Sequence, residues 1–212
     1  MPAVDRSLDE VVASLARLSP AEFTHDRLGE ILGDRPIRES GWVPRVKYRD
    51  DRYTRHLIHR SDVFSVILLC WKPGQVSPVH NHQGNSGWVR VLRGRMEETH
   101  WKSPDWVIAG VPMPTDDFDI DDDGVGHGLK LERGAHFIHA AGPGVCSVDR
   151  ERPIHQLGNP RRHADDEAAV TLHVYSRPHD ACLAFDTDKN TCWRVSLEFD
   201  SVPARGAVNP PR

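Results

Sequence analysis

The chain has 212 residues, with 27 Lys and Arg against 31 Asp and Glu, for a net charge of −4. That length fits one globular domain with an appended segment and can bury a core without staples. The mild acidity excludes the broad basic field that draws DNA or an anionic membrane, so no nucleic-acid or membrane partner is expected.

The first thirty-odd residues read as two short helices. Ser7 to Glu10 forms a capping box, and Leu8, Val11, Val12, Leu15 and Leu18 recur at helical spacing. Ser19, Pro20 and Glu22 repeat the start signal, with Phe23, Leu28, Ile31 and Leu32 as the apolar face of a second helix and Gly33 to end it. The start MPAVDRSLDE carries acids where a signal peptide needs a basic, then apolar, stretch, and no run of about 18 apolar residues follows anywhere. A cytoplasmic location is the expectation.

After Pro44 the texture changes to short β-branched and aromatic runs between Gly, Pro, Asn and Asp. Strands are predicted at 54–59, 63–71, 87–92, 96–101, 128–131, 136–140, 153–157, 168–176, 184–186 and 191–199. Many short strands with turn signals imply a sandwich or barrel rather than βαβ units. The predicted organisation is a helical segment, 1–43, packed on a β-domain, 44–200, with a flexible tail, 201–212. The acidic stretch 116–123 matches the opening of a DxDxDG calcium loop, but Lys130 stands where the bidentate Glu is needed, so it reads as a solvated loop. Cys70, Cys146, Cys182 and Cys192 form no CxxC pair and are too few for a disulfide scaffold. Cys70, within SVILLCW, reads as a small buried hydrophobe, and the six tryptophans read as packing.

The chemistry gathers in 74–94. His80 and His82 are two apart, so on a strand both imidazoles point to one face. An HxH pair alone could be core or ligand. Gly84 and Gly87 allow a tight loop beside it. His136/His139 and His56/His59, spaced three apart, do not share a strand face. His173 and Tyr175 do, and so do Tyr53 and Arg55.

The spacing of Gly74, His80, His82, Gly87 and Gly94 resembles the first cupin motif, and His155 to Asn159 resembles the end of the second. The position where most metal-binding cupins have Glu is Gly87. More widely, Tyr53-Thr-Arg55, Ile67 to Trp71, His80-x-His82, Leu172 to Ser176 and Ala181 to Asp186 resemble the cysteine dioxygenase family, in order, from about Tyr53 to Phe199. The fold implied is mainly β: a cupin, jelly-roll-like β-barrel with short N-terminal α-helices. The resemblance implies a mononuclear non-haem iron enzyme, a monomer with one Fe2+ per chain, that joins O2 to L-cysteine to give cysteine sulfinate. By motif position, His80, His82 and His155 would hold the metal. Arg55, with Tyr53 beside it, would hold the substrate carboxylate. Tyr175 would stand near the metal as a catalytic phenol, oriented by His173 with Thr171 behind. Cys182 matches a family cysteine and reads as structural.

Two departures follow from Gly87. The cupin carboxylate is missing, and the cysteine that mammalian members cross-link to this tyrosine is missing too, an arrangement that bacterial members resemble. A gap beside the metal, open to water or chloride, is the expectation there. Arg55 tilts the substrate toward L-cysteine, since related enzymes acting on 3-mercaptopropionate tend to have Gln. Other thiols, a non-catalytic metal-binding cupin and a metal-dependent isomerase are the rival readings.

Overall fold

The computed structural model describes residues 5–103, 124–127, 130–148, 154–160 and 167–203. The acidic segment 116–123 and most of the expected tail lie outside them.

Helix α1 (Leu8–Leu15) starts at the predicted box: the Ser7 hydroxyl accepts from Glu10 N–H, and the Glu10 carboxylate accepts from Ser7 N–H at 2.6 Å. The second start differs from expectation. Ser19 and Glu22 pair, but they close only a 3-10 turn, Pro20–Glu22. Phe23 breaks from helical geometry (φ −75°, ψ 71°), and Thr24 caps a fresh helix, α2 (His25–Gly33). A further turn of helix, α3 (Glu39–Trp42), was not legible in the sequence.

Thirteen strands follow among the described residues: β1 (Thr54–Arg60), β2 (Phe64–Trp71), β3 (Gln75–Val76), β4 (Val79–His80), β5 (Gly87–Arg93), β6 (Arg95–Lys102), β7 (Val125–His127), β8 (Glu132–Ala140), β9 (Val145–Val148), β10 (Ile154–Asn159), β11 (Ala169–Ser176), β12 (Ala181–Asp186) and β13 (Thr191–Ser196). One sheet runs β1-β2-β11-β5-β9. The other runs β7-β13-β12-β4-β10-β6-β8, with β3 also paired to β10, and every ladder is antiparallel. Several predicted boundaries fail: Leu131 is not in a strand, the strand predicted at 136–140 starts at Glu132, the one predicted at 153–157 runs to Asn159, 184–186 is the end of a strand that starts at Ala181, and the last strand stops at Ser196. β3, β4, β7 and β9 were too short to be read from pattern.

All eight residues of β2 are buried, because its two faces serve two cores. Phe64, Val66, Leu68 and Cys70 join Val170, Leu172, Val174 and Trp88 under the helices. Ile67, Leu69 and Trp71 point the other way, between the sheets, with Val89, Val91 and Tyr175. This period-two division is the alternation of a strand covered on both sides. Arg90 fastens the helical layer to the sheet. It is 5% exposed, and its guanidinium donates to the Leu32, Arg35 and Gly142 carbonyls, answering acceptors at the end of α2. Cys70 is buried as expected, and burial pushes its thiol up.

Candidate functional site

The expected histidines meet between the sheets. In β10, His155 lies directly across the ladder from His80 of β4. His82 reaches the same space, but not as a strand neighbour, since β4 ends at His80. Asn81 holds the chain there: its N–H donates to the Leu183 carbonyl at 3.1 Å and its Oδ1 accepts from Leu183 N–H at 2.9 Å. The turn that follows, with Gly84 at φ +72°, brings Asn85 N–H back to the His82 carbonyl. The ring centroids of His80, His82 and His155 are 5.1, 4.8 and 4.9 Å apart in the three pairs, and one nitrogen from each lies within 4.8 Å of the others.

The hydrogen bonds fix which nitrogens are available. His80 Nδ1 lies 3.0 Å from the Pro78 carbonyl, which can only accept, so Nδ1 carries the proton and Nε2 is bare. His155 Nδ1 donates to Glu98 Oε1 at 2.8 Å, again leaving Nε2 bare. Among the described residues, His155 Nε2 and both ring nitrogens of His82 are buried without a partner. A buried polar atom left alone costs free energy. Three imidazoles presenting lone pairs to one point therefore fit a divalent cation, with Glu98 backing His155 in a carboxylate–histidine pair. Burial, then the neighbouring His155, lowers His80 to about 3 and His82 well below the ordinary imidazole value, so both are neutral at neutral pH. Burial pushes the Glu98 carboxyl up, but hydrogen bonds from His139 and His155 outweigh it and hold it below the usual range.

The other sheet supplies the facing groups. His173 and Tyr175 share the inner face of β11, with His173 Nδ1 3.1 Å from the Tyr175 hydroxyl. Behind them, His173 Nε2 is 2.8 Å from Thr171 Oγ1, which accepts from Trp71 Nε1–H at 2.9 Å. Trp71 can only donate, so the Thr171 proton is free to point at His173 Nε2. His173 Nδ1–H then points at the phenol oxygen, and the phenol proton is released toward the interior. Trp71 is thus part of the site and more than packing. Burial raises Tyr175 to about 12 against the pull of Arg55, and burial followed by the Arg55 charge holds His173 well down, so both are neutral. The Tyr175 ring stands edge-on to His82 at 5.2 Å.

Gly87 pairs with Tyr175 across β5 and β11. A Cβ there would lie 2.9 Å from Tyr175 Cε1 and 3.0 Å from Cδ1. The tyrosine ring, not Trp88, takes the space that a side chain at 87 would fill. Without sulfur at 87, no thioether to Tyr175 forms there.

Arg55 lies on β1, fastened by Asp200, which accepts from Arg55 N–H at 2.9 Å. Its guanidinium sits over the Phe199 ring, and Nε is buried without a partner. Among the described residues no carboxylate pairs with that guanidinium. Its charge faces the interior, lowering His80 and His173 and opposing the rise of Tyr175. Tyr53 stacks on Trp71 at 4.2 Å, and burial raises its hydroxyl while Arg55 pulls it back. Cys182 is buried, raised to about 11 by desolvation against the same Arg55 charge.

Sequence reasoning missed His179, whose ring is perpendicular to Tyr175 at 5.1 Å and 5.9 Å from His82. Burial lowers it to about 4. It also missed Glu98 and set His139 aside, although His139 Nε2 lies 2.9 Å from Glu98 Oε2. Their only signal is a cross-strand register that no local pattern reveals.

A two-sheet antiparallel β-barrel with three imidazoles converging between its layers defines a cupin. Residues 31–128 match the family model described as cysteine dioxygenase type I. The chain is 27% identical over 161 residues to the human protein "Cysteine dioxygenase type 1", covering 76% of this chain and 68% of that one. The rat protein of the same name is 26% identical over 198 residues, covering 92% and 87%. "Plant cysteine oxidase 1" of Arabidopsis thaliana is 33% identical over 99 residues, 42% of this chain and 33% of that one. An RmlC-like cupin from Desulfovibrio desulfuricans superposes with a TM-score of 0.39 at 20% identity, over 63% and 91% of the two chains. The family model and the relatives support a place for this chain in the thiol dioxygenase family of the cupin superfamily.

Proposed function

We propose that this protein is a cysteine dioxygenase that holds one Fe2+ through His80, His82 and His155. The reaction is L-cysteine + O2 → cysteine sulfinate, in which sulfur gives up four electrons and O2 takes four. The observation that supports it best is the meeting, in one buried interior, of the three imidazoles with Tyr175 and with an Arg55 guanidinium that has no carboxylate partner among the described residues. Iron, when bound, supplies the redox chemistry and a place for thiol and O2 to meet.

The chain's own residues do the rest. Arg55 receives the substrate carboxylate through two parallel hydrogen bonds, which fixes orientation as well as charge. Tyr53, beside it, adds a hydroxyl. Trp71, Thr171 and His173 hold the Tyr175 hydroxyl so that its proton faces the reacting sulfur or oxygen. Trp71, Phe199 and Leu157 form the apolar wall that excludes water. The proposal takes the enzyme to be a cytoplasmic monomer, as the sequence reading expects.

Arg55→Gln tests the substrate assignment. Losing a charge-assisted contact of about 1.5–3 kcal/mol should lower kcat/KM for L-cysteine roughly 10- to 150-fold. Cysteamine, which has no carboxylate, should be unaffected by the change. Equal loss for both thiols, or no loss for cysteine, would remove Arg55 from the carboxylate site.

A further inference from the structure

Glu98 uses its two oxygens in two directions. Oε1 accepts from His155, and Oε2 lies 2.9 Å from His139 Nε2. Cys146 reaches the same carboxylate from β9, in the opposite sheet. A Glu98 oxygen, a His139 nitrogen and Cys146 Sγ lie within 4.8 Å of one another, as close as the three imidazoles of the first cluster.

We propose that Glu98, His139 and Cys146 form a second cation site, which takes a borderline-soft divalent ion such as Zn2+. The donor set is one thiolate, one imidazole and one carboxylate, each a common zinc ligand, and three protein donors leave a fourth position for water. Bonds of about 2.0–2.3 Å in a tetrahedron put ligand atoms roughly 3.5 Å apart, so the Glu98 Oε2–His139 Nε2 pair, 2.9 Å apart, must open slightly while Cys146 Sγ draws in. The three donors come from different strands: Glu98 from β6, His139 from β8 and Cys146 from β9. Glu98 is 1% exposed, whereas the His139 side chain is 25% exposed and Cys146 is half-buried, so an ion can enter from their side.

The protons balance without redox change. The Cys146 thiol loses its proton to solvent when sulfur binds the ion. The proton that His139 Nε2 shares with Glu98 moves to Nδ1 through solvent, so the ring stays neutral and Nε2 is bare for the ion. Glu98 Oε1 keeps its bond to His155 while Oε2 turns to the ion. The two sites therefore share one carboxylate, although neither needs the other to be filled.

Titration of the full-length, metal-free protein with Zn2+ by calorimetry, and with Co2+ by near-ultraviolet absorption, tests the site. Two equivalents of Zn2+ should bind, and Co2+ should give a thiolate charge-transfer band. Cys146→Ser should abolish the band and one equivalent while keeping the other. His139→Ala should also lose one equivalent. His82→Ala should lose the other equivalent and keep the band, which separates this site from the first cluster. Binding of a single equivalent by the wild type would reduce Glu98 and His139 to supports for His155 and overturn the proposal. A band that persists in Cys146→Ser would overturn it as well.

Discussion

Thr171→Val is the change with the most legible cost. Thr171 is fully buried, and its hydroxyl links Trp71 Nε1, at 2.9 Å, to His173 Nε2, at 2.8 Å. Valine keeps the shape and removes the oxygen. Two polar groups, each on a side chain 1% exposed, are then left alone. Each orphan costs about 1–3 kcal/mol. The added methyl returns at most about 0.8 kcal/mol. The net loss should be about 3 kcal/mol, or roughly 6–12 °C in Tm for a chain of this size. Urea denaturation of the metal-free protein measures it. Thr171→Ser, which keeps the hydroxyl and loses only a methyl, should cost about 1 kcal/mol. Turnover should fall in the valine variant, because His173 no longer has a partner to orient its proton toward Tyr175, and recover in the serine variant. A valine variant within about 0.5 kcal/mol of wild type, or less harmful than serine, would refute the reasoning.

Gly87→Ala should displace the Tyr175 ring, because the new methyl lies 2.9 Å from Cε1, and should break the 3.1 Å contact with His173. Turnover should drop while the iron content is retained, and unchanged turnover would mean that the ring position is immaterial. The metal-free protein should lose stability in acid below about pH 6.5. His82 and His173 are held neutral by burial, with folded values well below those of the unfolded chain, so the unfolded state binds more protons. Their contribution is complete above the unfolded value and is lost as pH falls through the window beneath it, at about 1.4 kcal/mol per pH unit for each group. Denaturation midpoints from pH 8 to pH 5 would show this, and a flat profile would count against burial of both rings as neutral species.

Local pattern made some of the site readable. The pair His173–Tyr175 follows from strand alternation within β11, whereas Tyr53 lies just before β1 and only Arg55 is on the strand. His80 and His82 reach one point for a different reason, since the strand stops between them and Asn81 pins the chain to β12. Glu98 and His139 read as ordinary polar strand residues, because only the pairing of β6 with β8 and β10 brings them behind His155. The helices show the same limit. Ser7 announced α1 through contacts within one turn, while the Ser19 signal was cut short at Phe23, which turns away to pack against Phe64 and Trp88. Register and tertiary packing are long-range, and no motif of a few residues encodes them.

In the proposed reaction the three-histidine interior joins O2 to a thiol. Anaerobically Fe2+-loaded protein, mixed with L-cysteine and 18O2, should consume one O2 per cysteine sulfinate formed, with both product oxygens labelled. No O2 uptake by fully loaded protein, or one product oxygen drawn from water, would contradict it.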